Sequence, residues 1–90
     1  MKDYRLLERV CKALGNARRL LIMDLLRKDR HGTVSEIARV ISISDQSTSK
    51  HLQILERAGI LVRVRRGMSV LYRLSPEQPE PAKTVLKLLS

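Results

Sequence analysis

Aromatic side chains are nearly absent from this chain: Tyr4 and Tyr72 are the whole inventory, with no Phe and no Trp. Modules for single-stranded DNA or RNA stack bases on aromatic faces, which sets that class aside at the outset. Cysteine is equally scarce. Cys11 alone forms neither an internal disulfide nor a cysteine-based zinc site, and nothing points to an oxidising compartment. Apolar runs such as Leu20-Leu21-Ile22-Met23 are far too short to span a bilayer. The opening Met1-Lys2-Asp3-Tyr4-Arg5 lacks the apolar core and cleavage site of a signal peptide, so a soluble cytoplasmic protein is expected. Catalytic signatures are missing too. No nucleophile stands beside an evident base, no glycine-rich phosphate loop occurs, and the carboxylates form no coherent site, so no enzyme is expected.

What is present is positive charge on a small globular frame. The 90 residues make about one domain, 1–90, and a 43% hydrophobic content separates it from disordered basic tails. Lys and Arg number 18 against 9 Asp and Glu, and a net charge of +9 on a folded domain implies a polyanionic partner. Residues 1–30 carry 9 basic and 4 acidic side chains, and residues 31–60 carry 3 of each. Residues 61–75 carry Arg63, Arg65, Arg66 and Arg73 with no acid at all. A face kept basic only for solubility would scatter its charge, and the acid-free segment resists that explanation.

The apolar spacing divides the chain into elements. Asp3 caps a first helix in which Leu7, Cys11 and Leu14 recur at i, i+4, i+7, widened by Leu6 and Val10. Gly15 ends it, and Asn16 opens a second helix, roughly Ala17 to Lys28, apolar on most sides and therefore central. Arg18 and Arg19 stand in its first turn, where the helix dipole disfavours cations; they are either exposed at small cost or there to meet phosphate. His31-Gly32 reads as a turn. Thr33-Val34-Ser35-Glu36 reads as a capping box, followed by Val34, Ile37, Ala38 and Ile41 on one short helical face. Ser42 to Ser44 is a tight turn into a helix from about Asp45 to Ala58, stopped by Gly59. Two short helices joined so briefly are a helix-turn-helix.

On the second helix of that pair, Thr48, Leu52 and Leu55 face the core. Gln46, Ser49, Lys50, Gln53 and Arg57 face outward, a polar surface with little acid that suits hydrogen bonding to base edges in a major groove. Beyond Gly59, Val62 and Val64 alternate with Arg63 and Arg65, Arg66-Gly67-Met68-Ser69 turns the chain, and Val70, Tyr72 and Leu74 alternate with Leu71 and Arg73. This predicts a β-hairpin, apolar inward and arginine outward, with Met68 near its tip. Ser75 to Pro81 is a proline-rich link into a last helix with an Ala82, Val85, Leu86 and Leu89 stripe. The fold class is therefore mainly α with a β-hairpin wing, a winged helix-turn-helix.

In that order and register, the sequence resembles the ArsR (arsenic-repressor-like) family of bacterial and archaeal transcriptional regulators over essentially its full length. Three stretches carry the resemblance: Ala13-Leu14-Gly15-Asn16-Ala17-Arg18-Arg19-Leu20; Thr48-Ser49-Lys50-His51-Leu52 with Leu55 and Ala58-Gly59-Ile60-Leu61-Val62; and Arg65-Arg66-Gly67 with Leu71-Tyr72-Arg73-Leu74. The resemblance implies a homodimer joined through its first and last helices, repressing transcription from operator DNA. Leu7, Val10, Cys11 and Leu14, with Val85, Leu86 and Leu89, would form that interface, unless the two stripes pack on their own domain. Gln46, Ser47, Ser49 and Lys50 are the expected base readers, with Gln53 further along the helix. Arg63, Arg65, Arg66 and Met68 belong to the wing, and Arg18, Arg19, Thr33 and Arg73 are further candidates for phosphate.

Departures from the family pattern are informative. One family metal site uses two thiols on the third helix, and here Thr33 and Ser35 occupy those positions. The other uses Asp and His on the last helix, where only Lys83, Thr84 and Lys87 are polar. No metal at the family's usual sites and no cofactor are therefore expected. His51 is read as a supporting residue and Cys11 as a buried small hydrophobe, or else a redox group across a dimer axis. Asp45 stands where relatives carry an uncharged polar residue; it favours the helix N-terminus, repels phosphate, or accepts from a cytosine amino group. The rival function is a winged-helix protein-interaction module, which the acid-free wing argues against, since interface cores are depleted in charge.

Overall fold

The computed structural model describes residues 2–90, so Met1 of the opening lies outside the described residues. The elements run α1 (Tyr4–Leu14), α2 (Ala17–Asp29), β1 (His31–Gly32), α3 (Val34–Ile41), α4 (Asp45–Arg57), β2 (Leu61–Arg66), β3 (Ser69–Leu74) and α5 (Glu80–Leu89). Four helices start on a side chain that accepts from a free backbone N–H. Asp3 does so for α1, Asn16 for α2, Thr33 for α3 and Ser44 for α4. At α3 the capping box is complete: the Thr33 hydroxyl accepts from Glu36 N–H at 3.2 Å while Glu36 accepts from Thr33 N–H at 2.8 Å. Thr33, through its backbone N–H first and its side chain second, favours the ionised carboxyl and holds the Glu36 pKa below its usual range.

The core is built from Ile22, Met23 and Leu26 of α2, Ile37 and Ile41 of α3, Leu52 and Leu55 of α4, and Ile60, Leu61 and Tyr72 at the base of the hairpin. The central position expected of α2 holds, although Leu21 faces solvent. His31-Gly32 is not a free turn. It forms β1 and pairs antiparallel with β3, His31 opposite Arg73 and Gly32 opposite Tyr72, giving a three-stranded sheet in the order β1-β3-β2. Two residues have no alternation to read, which is why the pattern does not reveal a strand. Gly32 fits there because it has no side chain: a Cβ would lie 3.1 Å from Ile37 Cγ1. Just before it, Arg30 closes α2 at φ 71° and ψ −47°. A non-glycine residue in that conformation costs roughly 1–3 kcal/mol.

The terminal helices dock on this core. Val10 and Ala13 of α1 and Ala82 of α5 are buried, and Val85, Leu86 and Leu89 pack against the same cluster. Arg27 joins α2 to the end of α5, donating to the Leu89 carbonyl at 3.2 Å and to Asp24 at 2.9 Å. The bond from Arg27, opposed by desolvation and helped by Lys28, lowers the Asp24 pKa. No helix among the described residues is long and apolar enough to cross a membrane.

Candidate nucleic-acid interface

The helix-turn-helix is locked by short polar side chains. Ser42 ends α3 in the left-handed region at φ 61°, and Ser44 accepts from Ser47 N–H at 3.0 Å. Asp45, the ambiguous acid of the sequence, accepts from the Ser35 hydroxyl at 2.7 Å. It thus ties the start of α4 to the start of α3, and its charge lies at the favourable end of its own helix. Thr48, Leu52 and Leu55 are buried as expected, which fixes the rotation of α4. Gln46, Ser47, Lys50 and Gln53 are exposed on the other side, with Ser49 half-buried. Gln53 Nε2 donates to Ser49 Oγ at 3.4 Å, so these two present one joined polar group. The face holds donors and acceptors of modest reach, the material base-edge readout requires.

The wing has the expected boundaries and a two-residue loop, Gly67-Met68, with Gly67 at φ 62°. A positive φ at the first loop residue is what a type II′ hairpin turn uses, and glycine supplies it without strain. Met68 is 97% exposed at the tip. The faces differ from the alternation read in the sequence. Val62 pairs with Arg73, Val64 with Leu71, and Arg63 with Tyr72. Directly opposed residues share a face, so Val62 and Val64 cannot point inward together with Tyr72. The buried, core-facing side chains are Leu61 and Tyr72, and Arg63 and Arg65 lie on that face toward the tip. Arg66 and Arg73 lie on the opposite face with Val62, Val64 and Leu71. Each arm is legible alone, but its inward set depends on the register between the arms, and one residue of slip inverts it. Arg63 approaches Glu56 of α4 at 4.0 Å, and all four arginines are exposed.

Neighbouring Arg18 and Arg19 have different roles. Arg18 is exposed. Arg19 is half-buried: Nε donates to the Ala13 carbonyl at 2.7 Å, Nη2 to the Lys12 carbonyl at 3.0 Å and Nη1 to His51 Nδ1 at 3.2 Å. Its guanidinium caps the carbonyl end of α1 and braces α4, so in this fold Arg19, expected as a phosphate contact, is engaged in holding two helices together. That also explains why a cation is tolerated at the start of α2: it serves the end of another helix. His51 is the supporting residue that its sequence position implies. Burial, then the Arg19 and Arg18 charges, push its pKa down and favour the neutral ring that accepts from Arg19.

Thr33 and Ser35 are both engaged in the fold, Thr33 as the α3 cap and Ser35 on Asp45. Cys11 is exposed, contrary to its reading as a buried hydrophobe. The α1 stripe is rotated from the expected one, with Val10 and Ala13 inward and Leu7 and Cys11 outward. Val10 is 2% exposed and has no surface left for a partner. Leu14, Val85, Leu86 and Leu89 are half-buried against their own core, whereas Leu88, absent from the expected interface, is 79% exposed. A stripe assigned from spacing alone misses the outer side of α5.

The sequence matches the family described as a helix-turn-helix domain over residues 9–65. ArsR1 of Pseudomonas putida, an arsenic resistance transcriptional regulator, is 35% identical over 78 residues, covering 87% of this chain and 61% of its own, so this chain spans less than two thirds of that relative. YuzN of Bacillus subtilis, an uncharacterized HTH-type transcriptional regulator, is 38% identical over 84 residues, covering 87% of this chain and 88% of its own. Among solved structures, a homodimeric winged helix-turn-helix DNA-binding domain from Mycobacterium bovis, described as a possible ArsR-family transcriptional regulator, matches with a TM-score of 0.78 at 31% identity, covering 96% of this chain and 73% of its own. These relatives are regulators and not enzymes. With α3, α4 and the wing in the family's order, the chain belongs to the ArsR family of winged helix-turn-helix, DNA-binding transcriptional regulators.

Proposed function

We propose that this chain is a homodimeric repressor that binds an inverted-repeat operator in double-stranded DNA. The observation that carries the reading is the polar hydrogen-bonding face of α4, which carries little acid, beside an acid-free arginine hairpin. Gln46, Ser47, Ser49 and Lys50 read base edges, with Gln53 acting through Ser49. Arg63, Arg65 and Arg66, with Met68 at the tip, follow the backbone or minor groove, and Arg18, Arg73 and the Thr33 cap meet flanking phosphates. The outward apolar side chains of α1 and α5, Leu7 and Leu88 among them, supply the dimer surface. The Mycobacterium bovis relative, described as homodimeric, supports that assembly. Repression is the mode the family resemblance favours.

Selection of bound sequences from random duplexes by the purified protein tests this. The expected result is an inverted repeat with half-sites about one helical turn, ~10 bp, apart, from a protein that sediments as a dimer. Single half-sites from a sedimenting monomer would overturn it. With Thr33 and Ser35 engaged in the fold, added zinc is expected to change operator affinity by less than about tenfold.

A further inference from the structure

A cleft of about 490 Å³ lies behind the wing, between the end of α2 and the sheet face that carries Val62 and Val64. Its volume falls within the ~300–1,000 Å³ typical of small-molecule sites. The floor is apolar: Leu26 is buried, and Val64 and Leu71 are half-buried. The rim is cationic, made by Arg30, Arg66 and Arg73, and no Asp or Glu lines the cleft. Among the described residues, none of these three guanidiniums has a carboxylate within 4.0 Å, whereas Arg27 and Arg63 each have one. The sheet register explains the convergence, because Val64 with Leu71 and His31 with Arg73 are directly opposed pairs on one face. Arg30 is delivered to the rim by the strained backbone at φ 71°, a conformation that glycine would adopt freely.

An apolar floor beneath unpaired guanidiniums is more than a DNA phosphate needs, since a phosphodiester offers nothing to bury. We infer that the cleft binds a small amphipathic anion, an aryl or alkyl carboxylate whose apolar body covers Leu26, Val64 and Leu71 while its carboxylate takes the arginine fork of Arg30, Arg66 and Arg73. Such an anion occupies two wing arginines and cancels one positive charge of the three on the rim. Where these also serve the duplex, as the proposed function holds, the ligand and DNA weaken one another by thermodynamic linkage. The cleft is then the effector site through which the repressor is released.

The probe is 1-naphthoate, with 1-naphthamide as its uncharged counterpart of similar shape. Methyl NMR of the DNA-free protein is expected to show saturable shifts at Leu26, Val64 and Leu71 with naphthoate. Naphthamide should bind at least about tenfold more weakly, as should naphthoate to Arg73→Ala or Arg30→Gly, the weakening expected when a charge-assisted hydrogen bond is removed. Arg30→Gly suits the observed backbone and keeps the fold. Equal binding of the two probes, shifts centred on α1 and α5, or no saturation would overturn the site. Duplex affinity is measured first without probe, so failure of the DNA-binding reading is seen separately. Saturating naphthoate should then weaken duplex binding by about fivefold or more. Cleft binding with unchanged duplex affinity would overturn the effector role.

Discussion

Residues 31–60 hold three basic and three acidic side chains, and residues 61–75 hold four arginines and no acid. In the first region the acids are occupied locally: Glu36 closes the α3 capping box, Asp45 takes the Ser35 hydroxyl, and Glu56 lies beside Arg63. In the wing, that Arg63 approach at 4.0 Å is the one ion pair among the described residues. The helix-turn-helix therefore presents oriented, nearly neutral hydrogen-bonding groups on a fixed helix, and the wing presents long mobile charges on a narrow hairpin. Oriented groups discriminate base edges, whereas mobile charges displace counterions with little regard for sequence. The division is between specificity and affinity.

The largest effect that could break this division comes from α4. Gln46→Ala and Ser49→Ala are each expected to weaken a selected operator by about 1–3 kcal/mol, and random duplex far less. Ser49→Ala also removes the acceptor of Gln53. Competition binding against both DNAs at one salt concentration decides it. Equal effects on the two would show that α4 contributes charge or shape and no readout.

Next comes the pair Arg18 and Arg19, adjacent in sequence and different in role. Arg19→Ala removes donors to two α1 carbonyls and to His51, and should destabilise the fold by about 1–2 kcal/mol in urea unfolding. Arg18→Ala should leave stability nearly unchanged and lower the salt slope of duplex binding by about one. A reversed pattern would mean that the Arg19 bracing yields to phosphate when DNA binds.

These two arginines also show where sequence reasoning stops. Elements with a strong period or a cap are readable: the capping box at Thr33, the turn at Ser42 to Ser44, and the buried Thr48, Leu52 and Leu55 side of α4 all stand. What is not readable depends on packing between elements. Arg19 looks like any exposed cation until α1 ends beside it. The wing faces depend on pairing Val62 with Arg73, and β1 exists only because β3 offers it partners. Cys11 sits on an apolar stripe whose true inward edge is Val10 and Ala13, a rotation that no single helix reveals. Arg30 gives no signal in the sequence because backbone strain leaves no mark on composition.

A smaller effect sharpens the wing half. Arg65→Ala should weaken selected and random duplexes alike and reduce the salt slope by about 0.9, the value of one neutralised phosphate. Titrations from low to moderate salt give that slope directly. A change in the selected sequence on removing Arg65 would instead place it in a minor groove, reading width.

The smallest effect is a pH dependence centred on His51 of the helix-turn-helix. Burial and the charges of Arg19 and Arg18 depress the His51 pKa below its usual 6.5, so the unfolded chain takes up that proton before the folded one does. Stability from this group is complete above 6.5, falls as pH drops through the interval down to the folded value, and falls no further below it. Asp24 and Glu36, whose pKa values are lowered from 3.8 and 4.5, begin to lose their contributions only as pH falls through those values. Protonation also removes the Nδ1 acceptor of Arg19, loosening α4 from the end of α1. The wing, residues 61–75, carries no carboxylate and no histidine. Urea unfolding of the wild type should therefore show weaker stability as pH falls just below 6.5. His51→Gln, uncharged and still an acceptor, should flatten that step. An unchanged step in the variant would assign the titration elsewhere and remove His51 as the element that ties α4 stability to pH.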